Sequence, residues 1–176
     1  HSSRRSATPE RGASAALAKS LDDVTLPSSN FDEVSGDPHA AVTSGQFWAI
    51  DQRRRNGLIL IKPYYAEFAG PGAAVGGKFD LDCLAVVPLG RWRLTVPSTS
   101  DDRQTAYRIR LQWLRLTSRF TSLDDSRQRC QKIIEQFEQF FDRQEVLNLS
   151  PETLADLVGV LPTTMARFRS DRSAST

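Results

Sequence analysis

The chain has 176 residues, a length that suits one modest domain with appendages. Its formal net charge of +2 gives no overall field that would by itself attract nucleic acid. No apolar run approaches the length of a membrane span, and the two cysteines show no paired metal-ligand spacing. These features predict a cytoplasmic protein with reduced thiols, no membrane segment, no metal and no cofactor.

Positive charge is carried almost entirely by arginine, with nineteen Arg against four Lys. The planar guanidinium group forms bidentate contacts with carboxylates and phosphates, so this bias favours an anion-binding function. A genome rich in arginine codons would explain the same usage without any site.

Residues 1–43 are rich in Ser, Ala, Pro and Asp and poor in large apolar side chains. Such a composition buries too little apolar surface to offset the entropy of ordering, so it predicts a flexible N-terminal arm that is dispensable for folding. Within the arm, the spacing of Ala13, Leu17, Leu21 and Val24 predicts one short helix, either transient or docked.

Several short strands are predicted from Gln46 to Leu116, a stretch that holds all three tryptophans. Phe47–Ile50 and Leu58–Ile61 are uniformly apolar, as strands buried on both faces would be. Between them, Arg53–Gly57 ends in Asn-Gly, a dipeptide typical of a tight hairpin turn. We therefore expect these two strands to pair.

Alternating polarity predicts two further strands, Arg91–Val96 and Thr105–Trp113, which form a second hairpin. Phe79–Cys83 is a weaker strand candidate, and Pro88–Gly90 a turn. The fold class predicted is α+β, with a small antiparallel β-barrel of about five strands over residues 44–119 and C-terminal helices over residues 120–176.

Seven arginines on the predicted barrel form a candidate anion site. Three lie at the tip of the first hairpin and four would share the solvent face of the second: Arg53, Arg54, Arg55, Arg91, Arg93, Arg108 and Arg110. Guanidinium groups in such a patch could clamp the phosphates of a cyclic dinucleotide and stack on its guanine bases. A plain solvated turn is the alternative for the hairpin tip.

The segment Gly72–Lys78 matches part of a phosphate-binding loop, G-x-x-x-x-G-K. Phe79 follows where a Ser or Thr would bind magnesium, and a strand is predicted next instead of a helix. We interpret the segment as a glycine-rich connection across the barrel. Catalysis is not expected, because His39 is the only histidine beyond His1 and no nucleophile has a base nearby in sequence.

An apolar stripe at helical spacing predicts a helix from Leu123 to about Gln144, capped by Ser122. The stripe consists of Leu123, Cys130, Ile133, Ile134, Phe137, Phe140 and Phe141. Two interpretations stay open for this face: it belongs to the core, or its width and its three phenylalanines form a homodimer interface over residues 123–144.

A second C-terminal helix is predicted to begin with Ser150 as cap and Pro151 in its first turn. In Leu154–Phe168, the small Ala155 and the turn residue Gly159 lie where a helix-turn-helix needs them. The segment resembles the helix-turn-helix of bacterial regulators of the cyclic-AMP receptor type. The resemblance implies that a second helix begins at Pro162 and that its major-groove contacts are Thr163, Thr164, Arg167 and Arg169. A helix pair packed on the barrel without DNA contact is the alternative.

A second resemblance covers about half of the chain. Its segments are Phe47–Ile50, Leu60–Pro63, Tyr65, Gly72–Ala73 and Gly76–Phe79. In order and content they are similar to a small β-barrel domain of uncharacterised cyanobacterial proteins. This resemblance implies a non-catalytic module and a cyanobacterial source.

These features predict a non-enzymatic regulatory binding protein, related to transcription, whose barrel senses a signal or dimerises while the C-terminus contacts DNA. One alternative is a receptor for an anionic nucleotide second messenger, such as a cyclic dinucleotide, that signals through a protein partner. A protein–protein scaffold is the other.

Overall fold

In the computed structural model the described residues are 30–33 and 36–175, and they form an α+β fold. The strands are β1 Asn30–Asp32, β2 Phe47–Ile50, β3 Asn56–Ile61, β4 Ala66–Ala69, β5 Ala74–Gly76, β6 Ala85–Gly90 and β7 Arg93–Thr95. The helices are α1 Pro38–Val42, α2 Ser100–Thr121, α3 Ser126–Phe140, α4 Arg143–Leu147, α5 Pro151–Val158 and α6 Pro162–Ala174. A 3₁₀ turn covers Gly77–Asp80. None of the described helices is both long and apolar enough to cross a membrane.

The strands form two antiparallel sheets, in the orders β1-β7-β2-β5 and β4-β3-β6, and the described strands do not close into a barrel. The expected hairpin between β2 and β3 is wrong, because these strands belong to different sheets. Asn56 and Gly57 are residues of β3 and pair with Gly90 and Leu89 of β6. The Asn56 amide group donates to the carbonyl of Asp51 at 3.0 Å, so it fastens the corner between the two sheets instead of forming a turn.

The largest departure from prediction is residues 105–113, which lie inside α2 and not in a strand. Tyr107, expected to face the core, is 40% exposed, whereas Arg110, expected to face solvent, is buried. Ala106 and Arg110 share the inner face at a spacing of four residues, as a helix requires. The alternation of polar and apolar residues therefore predicted the wrong element, because the buried face of α2 includes the charged Arg110.

Three smaller predictions on the β-rich half are also corrected. Residues 79–83, a weak strand candidate, form the end of the 3₁₀ turn and an irregular segment. Pro88–Gly90 is not a turn but the end of β6. Gly72–Lys78 contains β5, which pairs with β2, and the start of the 3₁₀ turn, so the interpretation as a connection across a barrel is wrong. No α-helix follows the segment directly, as a phosphate-binding loop would require. At Gly76, φ is 83° and a Cβ would come within 2.2 Å of the Gln46 carbonyl oxygen, which only glycine tolerates.

The apolar interior has two main clusters, and β3 divides them. Leu58 and Leu60 point into a cluster between the two sheets that also holds Trp48, Trp92 and Leu94. Ile59, on the opposite face, joins a cluster built with the C-terminal helices. All three β3 side chains are fully buried, which confirms a strand covered on both faces.

Part of the predicted N-terminal arm belongs to this interior. Phe31 of β1 packs against the rings of Trp48 and Trp92, with centroids 5.9 and 5.8 Å apart. Val42 of α1 is fully buried, and the Trp48 indole donates to the Ala41 carbonyl at 3.2 Å. Residues 30–33 and 36–43 are thus part of the fold. The predicted helix Ala13–Val24 lies outside the described residues.

The helix predicted for residues 123–144 exists but is shorter. It begins at Ser126 with Asp125 as its cap, and ends at Phe140. Cys130, Ile133 and Phe137 are at most 2% exposed, because they pack against β3, β4 and the last two helices. The core interpretation is therefore confirmed for these residues, whereas Leu123 and Phe140 are half-buried and the homodimer stays untested.

Candidate nucleic-acid interface

Helices α5 and α6 form the helix-turn-helix-like pair that the sequence predicts. The Ser150 hydroxyl accepts the Thr153 N–H at 3.1 Å, and Pro151 occupies the first turn of α5. Gly159 ends the helix with φ 66° and ψ 41°, the left-handed conformation that a sharp turn needs. The cap, the turn glycine and the start of the second helix at Pro162 are all confirmed.

Helix α3 packs against both members of the pair and completes a three-helix unit. Leu154 of α5 and Met165 of α6, both 0% exposed, meet Ile133 and Phe137 of α3 in one cluster. Ala155 is also fully buried, which allows close approach of the helices. Burial of one face of α6 fixes the direction in which its opposite face points.

The exposed face of α6 is formed by small polar residues, one arginine and Asp171, which pairs with Arg127. Thr163, Arg167 and Ser170 are exposed at spacings of four and three residues, and Thr164 is half-buried beside them. Within the part of the chain that the structure describes, the Arg167 guanidinium has no ion-pair partner. Side chains at the start of the second helix are those that contact base edges in helix-turn-helix proteins. Three of the four predicted groove residues therefore share one accessible region.

Arg169, the fourth predicted groove residue, is placed elsewhere. Its guanidinium donates to the carbonyl oxygens of Leu147 and Leu149, which join α4 to α5. Partial burial lowers the pKa of Arg169. Two residues correspond to about 200° of helix rotation, so a side chain two positions after Arg167 faces the opposite side of α6. The expected groove contact of Arg169 is wrong, and the residue instead positions the segment before α5.

Two ion pairs hold α6 against α3. The Arg172 guanidinium binds both oxygens of the Glu138 carboxylate at 2.8 Å, and this contact raises the pKa of Arg172. Arg127 pairs with Asp171 at 3.1 Å, and its guanidinium lies 5.5 Å from the centre of the Phe168 ring. A concave region of about 300 Å³ lies between the N-terminal ends of α3 and α6, and Thr163, Thr164 and Arg167 line it.

Helix α2 carries a row of three arginines, of which only Arg108 is among the predicted site residues. Arg108, Arg115 and Arg119 are exposed, and steps of seven and four residues place them on one helix face. None of them forms an ion pair with a described residue. Because α2 joins α3 through residues 122–125, Arg119 lies at the end of the helix that adjoins the three-helix unit. If residues 100–121 had been interpreted as a helix, the helical spacing would have placed these three arginines on one face.

The seven arginines of the predicted anion site do not come together. Arg108 and Arg110 belong to α2, where one is exposed and the other buried, so four arginines do not share a strand face. Arg91 pairs with Glu33 at 3.4 Å, and its carbonyl accepts a bond from Arg54 at 3.3 Å. The Arg55 guanidinium lies 5.9 Å from the centre of the Phe140 ring.

Arg53 and Arg93 line a polar cleft of about 530 Å³. Asp51 and Asp102 line the same cleft, together with hydroxyl groups such as that of Thr95. The Asp51 carboxylate accepts the Arg53 N–H at 2.9 Å and lies 4.0 Å from Arg93 Nε. The two aspartates offset the charge of the two arginines, so the cleft is polar without concentrated positive charge.

Arg110 forms the centre of a buried ionic cluster that also escaped prediction. Its Nη2 lies 2.7 Å from Asp80 Oδ1 and 2.8 Å from Glu67 Oε2. Lys62 Nζ contacts Asp80 at 2.9 Å and Asp82 at 2.7 Å. Burial opposes ionisation of Asp80, but Arg110 and Lys62 outweigh it and hold the pKa of that carboxyl below its usual range. This cluster ties α2 to β3, β4 and the 3₁₀ turn.

Two features thus offer cationic groups to a large anionic partner: the exposed start of α6 with Arg167, and the arginine row of α2. The buried cluster around Arg110 is inaccessible and holds the fold together. Comparisons of the chain with protein-family models, with curated proteins and with solved structures give no match.

Proposed function

We propose that the protein binds double-stranded DNA through the unit of α3, α5 and α6, and acts as a non-enzymatic regulator related to transcription. The observation that carries the proposal is the exposed start of α6, where Thr163, Thr164 and Arg167 are accessible while the opposite face is locked against α3 and α5. A helix held in this way enters the major groove without reorganisation of the protein, which lowers the entropic cost of binding.

Each residue of this surface has a chemical role in the proposal. The Arg167 guanidinium binds a guanine edge or a phosphate in bidentate fashion. The hydroxyl groups of Thr163 and Thr164 contact base edges or backbone oxygens. Residues 122–175 contain seven Lys and Arg but nine Asp and Glu, a net charge of −2, so the net charge of this unit does not attract DNA. The arginine row of α2 supplies the additional phosphate contacts.

The test is a mobility shift with random duplex DNA at low salt, using Arg167→Glu and Arg143→Glu. Arg143 is also exposed in the C-terminal helices, but it lies on α4 and away from the start of α6, so the matched control changes the charge equally. We expect Arg167→Glu to abolish the shift and Arg143→Glu to preserve it. Arg167→Gln should cost about 1–3 kcal/mol and reduce the salt slope by about one unit. A wild-type protein that shifts no duplex at low salt, or equal losses in both Glu variants, would refute the proposal.

The two arginines in the lining of the polar cleft favour a second candidate function, the binding of an anionic nucleotide such as a cyclic dinucleotide in competition with Asp51 for the Arg93 guanidinium. Its volume of about 530 Å³ falls in the range of small-molecule sites. In this second proposal, the guanidinium groups of Arg53 and Arg93 bind phosphates. Calorimetry with cyclic dinucleotides should show binding that Arg53→Ala abolishes and that Arg54→Ala, the neighbouring control outside the cleft, retains. The absence of heat at millimolar ligand would exclude this candidate.

A further inference from the structure

Six large apolar side chains are exposed at one end of the β-rich half. Tyr64 is 97% exposed, Leu84 63%, Phe79 61%, Leu81 55%, Tyr65 49% and Tyr107 40%. They come from the turn between β3 and β4, the 3₁₀ turn and the segment after it, and the first half of α2. We call these six residues the Tyr64 patch.

Contacts around Lys62 bring these residues together. The Lys62 ammonium donates to the Phe79 carbonyl at 2.7 Å, and the Lys62 backbone N–H donates to the Tyr65 carbonyl at 2.8 Å. The Leu84 N–H donates at 2.8 Å to the carbonyl of the residue before Lys62. The rings of Phe79 and Tyr107 lie 5.6 Å apart. These contacts hold the stretches that carry Tyr64, Tyr65, Phe79 and Leu84 side by side around the buried Lys62, and the Phe79 ring joins them to α2 through Tyr107.

The patch rests on a rigid base. Beneath it, Asp80 is fully buried, binds Arg110 and Lys62, and accepts the Gly76 N–H at 2.7 Å. These contacts fix the 3₁₀ turn that carries Phe79. A surface that is already ordered loses little entropy when a partner covers it.

The exposed area of these six residues is comparable to that of a protein–protein contact surface. With about 200 Å² for a whole large side chain, the six residues expose roughly 700 Å². The largest apolar patch on a typical monomer is about 300–600 Å². A standard protein–protein interface buries about 800 Å² on each partner. The Tyr64 patch with its polar border therefore matches one side of a specific interface.

We propose that the Tyr64 patch is the interface of a homodimer in which a second copy of the chain covers it. Two exposed residues of opposite charge border the apolar residues in the chain: Lys78 precedes Phe79, and Asp82, which also contacts Lys62 Nζ at 2.7 Å, follows Leu81. In a two-fold dimer both subunits use the same patch. If one residue of the first subunit contacts a different residue of the second, the symmetry axis repeats that contact with the two subunits exchanged. Lys78 of one subunit then faces Asp82 of the other, so the surface complements itself in charge as well as in apolarity.

The test is sedimentation velocity of the full chain over a wide concentration range, with Tyr64→Glu and Leu84→Glu as variants. Both side chains point to solvent, so the monomer fold should survive, and circular dichroism melting verifies it. Leu147→Glu is the matched control, because Leu147 is 46% exposed in the C-terminal helices, away from the patch. We expect a wild-type dimer whose dissociation constant rises about ten-fold or more in each patch variant and is unchanged in the control.

Three outcomes would overturn the proposal. The first is a wild-type chain that stays monomeric up to about 0.1 mM, a concentration at which an interface of this size should form. The second is a dimer that both patch variants leave intact, since it would use another surface. The third is a monomer that dimerises only after residues 1–29 are removed, which would assign the patch to that segment. None of these outcomes depends on DNA binding, so the proposed function is tested separately.

Discussion

The guanidinium of Arg110 binds the carboxylate of Asp80 through two hydrogen bonds, with Nη1 2.6 Å from Oδ2 and Nη2 2.7 Å from Oδ1. This pair joins the middle of α2 to the 3₁₀ turn. Both side chains are buried, so the loss of one partner leaves an uncompensated charge away from water.

Removal of Arg110 should therefore destabilise the protein strongly. We expect Arg110→Ala to lower the free energy of unfolding by about 3–5 kcal/mol, because Asp80 and Glu67 remain buried with fewer cationic partners. Urea denaturation measures the change. Arg108→Ala removes an exposed arginine from the same helix and should change stability by less than about 0.5 kcal/mol. Similar effects of the two substitutions would show that the buried cluster is not holding α2.

The buried cluster also predicts how stability depends on acid. The pKa of Asp80 is lowered in the folded protein, so its contribution is fully present above the unfolded pKa of about 3.9. That contribution is lost as the pH falls through the lower folded value. Unfolding free energies measured from pH 6 down to pH 2 should therefore fall less steeply below about pH 4 in Asp80→Asn than in the wild type. Parallel curves would contradict the lowered pKa.

Substitution of Arg169 should lower the stability of the fold and leave the DNA contacts unchanged. Its guanidinium donates to the carbonyls of Leu147 and Leu149, and hydrogen bonds to charged groups contribute about 1.5–3 kcal/mol. We expect Arg169→Ala to lower the unfolding free energy by about this amount and to speed amide exchange across residues 147–153. Once folded, the variant should keep the salt slope of DNA binding. A reduced salt slope of DNA binding with an unchanged free energy of unfolding would instead show that Arg169 contacts DNA.

The N-terminal boundary of the fold can be found by two deletions. Removal of residues 1–29 should leave the melting temperature within a few degrees, because their composition provides little apolar surface for a core. Removal of residues 1–42 also takes away Phe31 and Val42, which pack in the cluster between the sheets. Loss of buried side chains of this size costs about 2–5 kcal/mol each, so the longer deletion should lower the melting temperature sharply. Thermal melts that are equal for both deletions would be inconsistent with this boundary.

Features set by neighbouring residues were predictable from sequence, and features set by distant contacts were not. The Ser150 cap and the Gly159 turn depend on a few consecutive residues, and both were found. The Asn-Gly pair at residues 56–57 is equally local, but the pairing of β3 with β6 overrides its turn preference. The strand prediction for residues 105–113 was wrong because it placed Arg110 in solvent, whereas Arg110 is buried against anionic partners 30 and 43 positions away in the chain.

The candidate DNA-binding residues show the same difference between features set by neighbouring residues and features set by distant contacts. Thr163, Thr164 and Arg167 lie at the accessible start of α6, because the adjacent turn fixes the phase of this helix, and their contact with DNA stays a prediction. Arg169 was misplaced, since its carbonyl partners belong to a segment 20 and 22 residues earlier. The Tyr64 patch was not predicted either, because it gathers residues from three separated stretches of the chain.

The position of β3 between the two apolar clusters implies cooperativity across the whole molecule. Leu58 and Leu60 fill the cluster between the sheets, and Ile59 fills the one beneath the C-terminal helices. A shift of this single strand disturbs both interiors at once, so we expect the sheets and the helices to melt in one transition. The helix-turn-helix-like pair therefore cannot be excised with its packing intact. The sheets contact α5, and α5 in turn packs against α6, so a shift of β3 would reach α6 through α5.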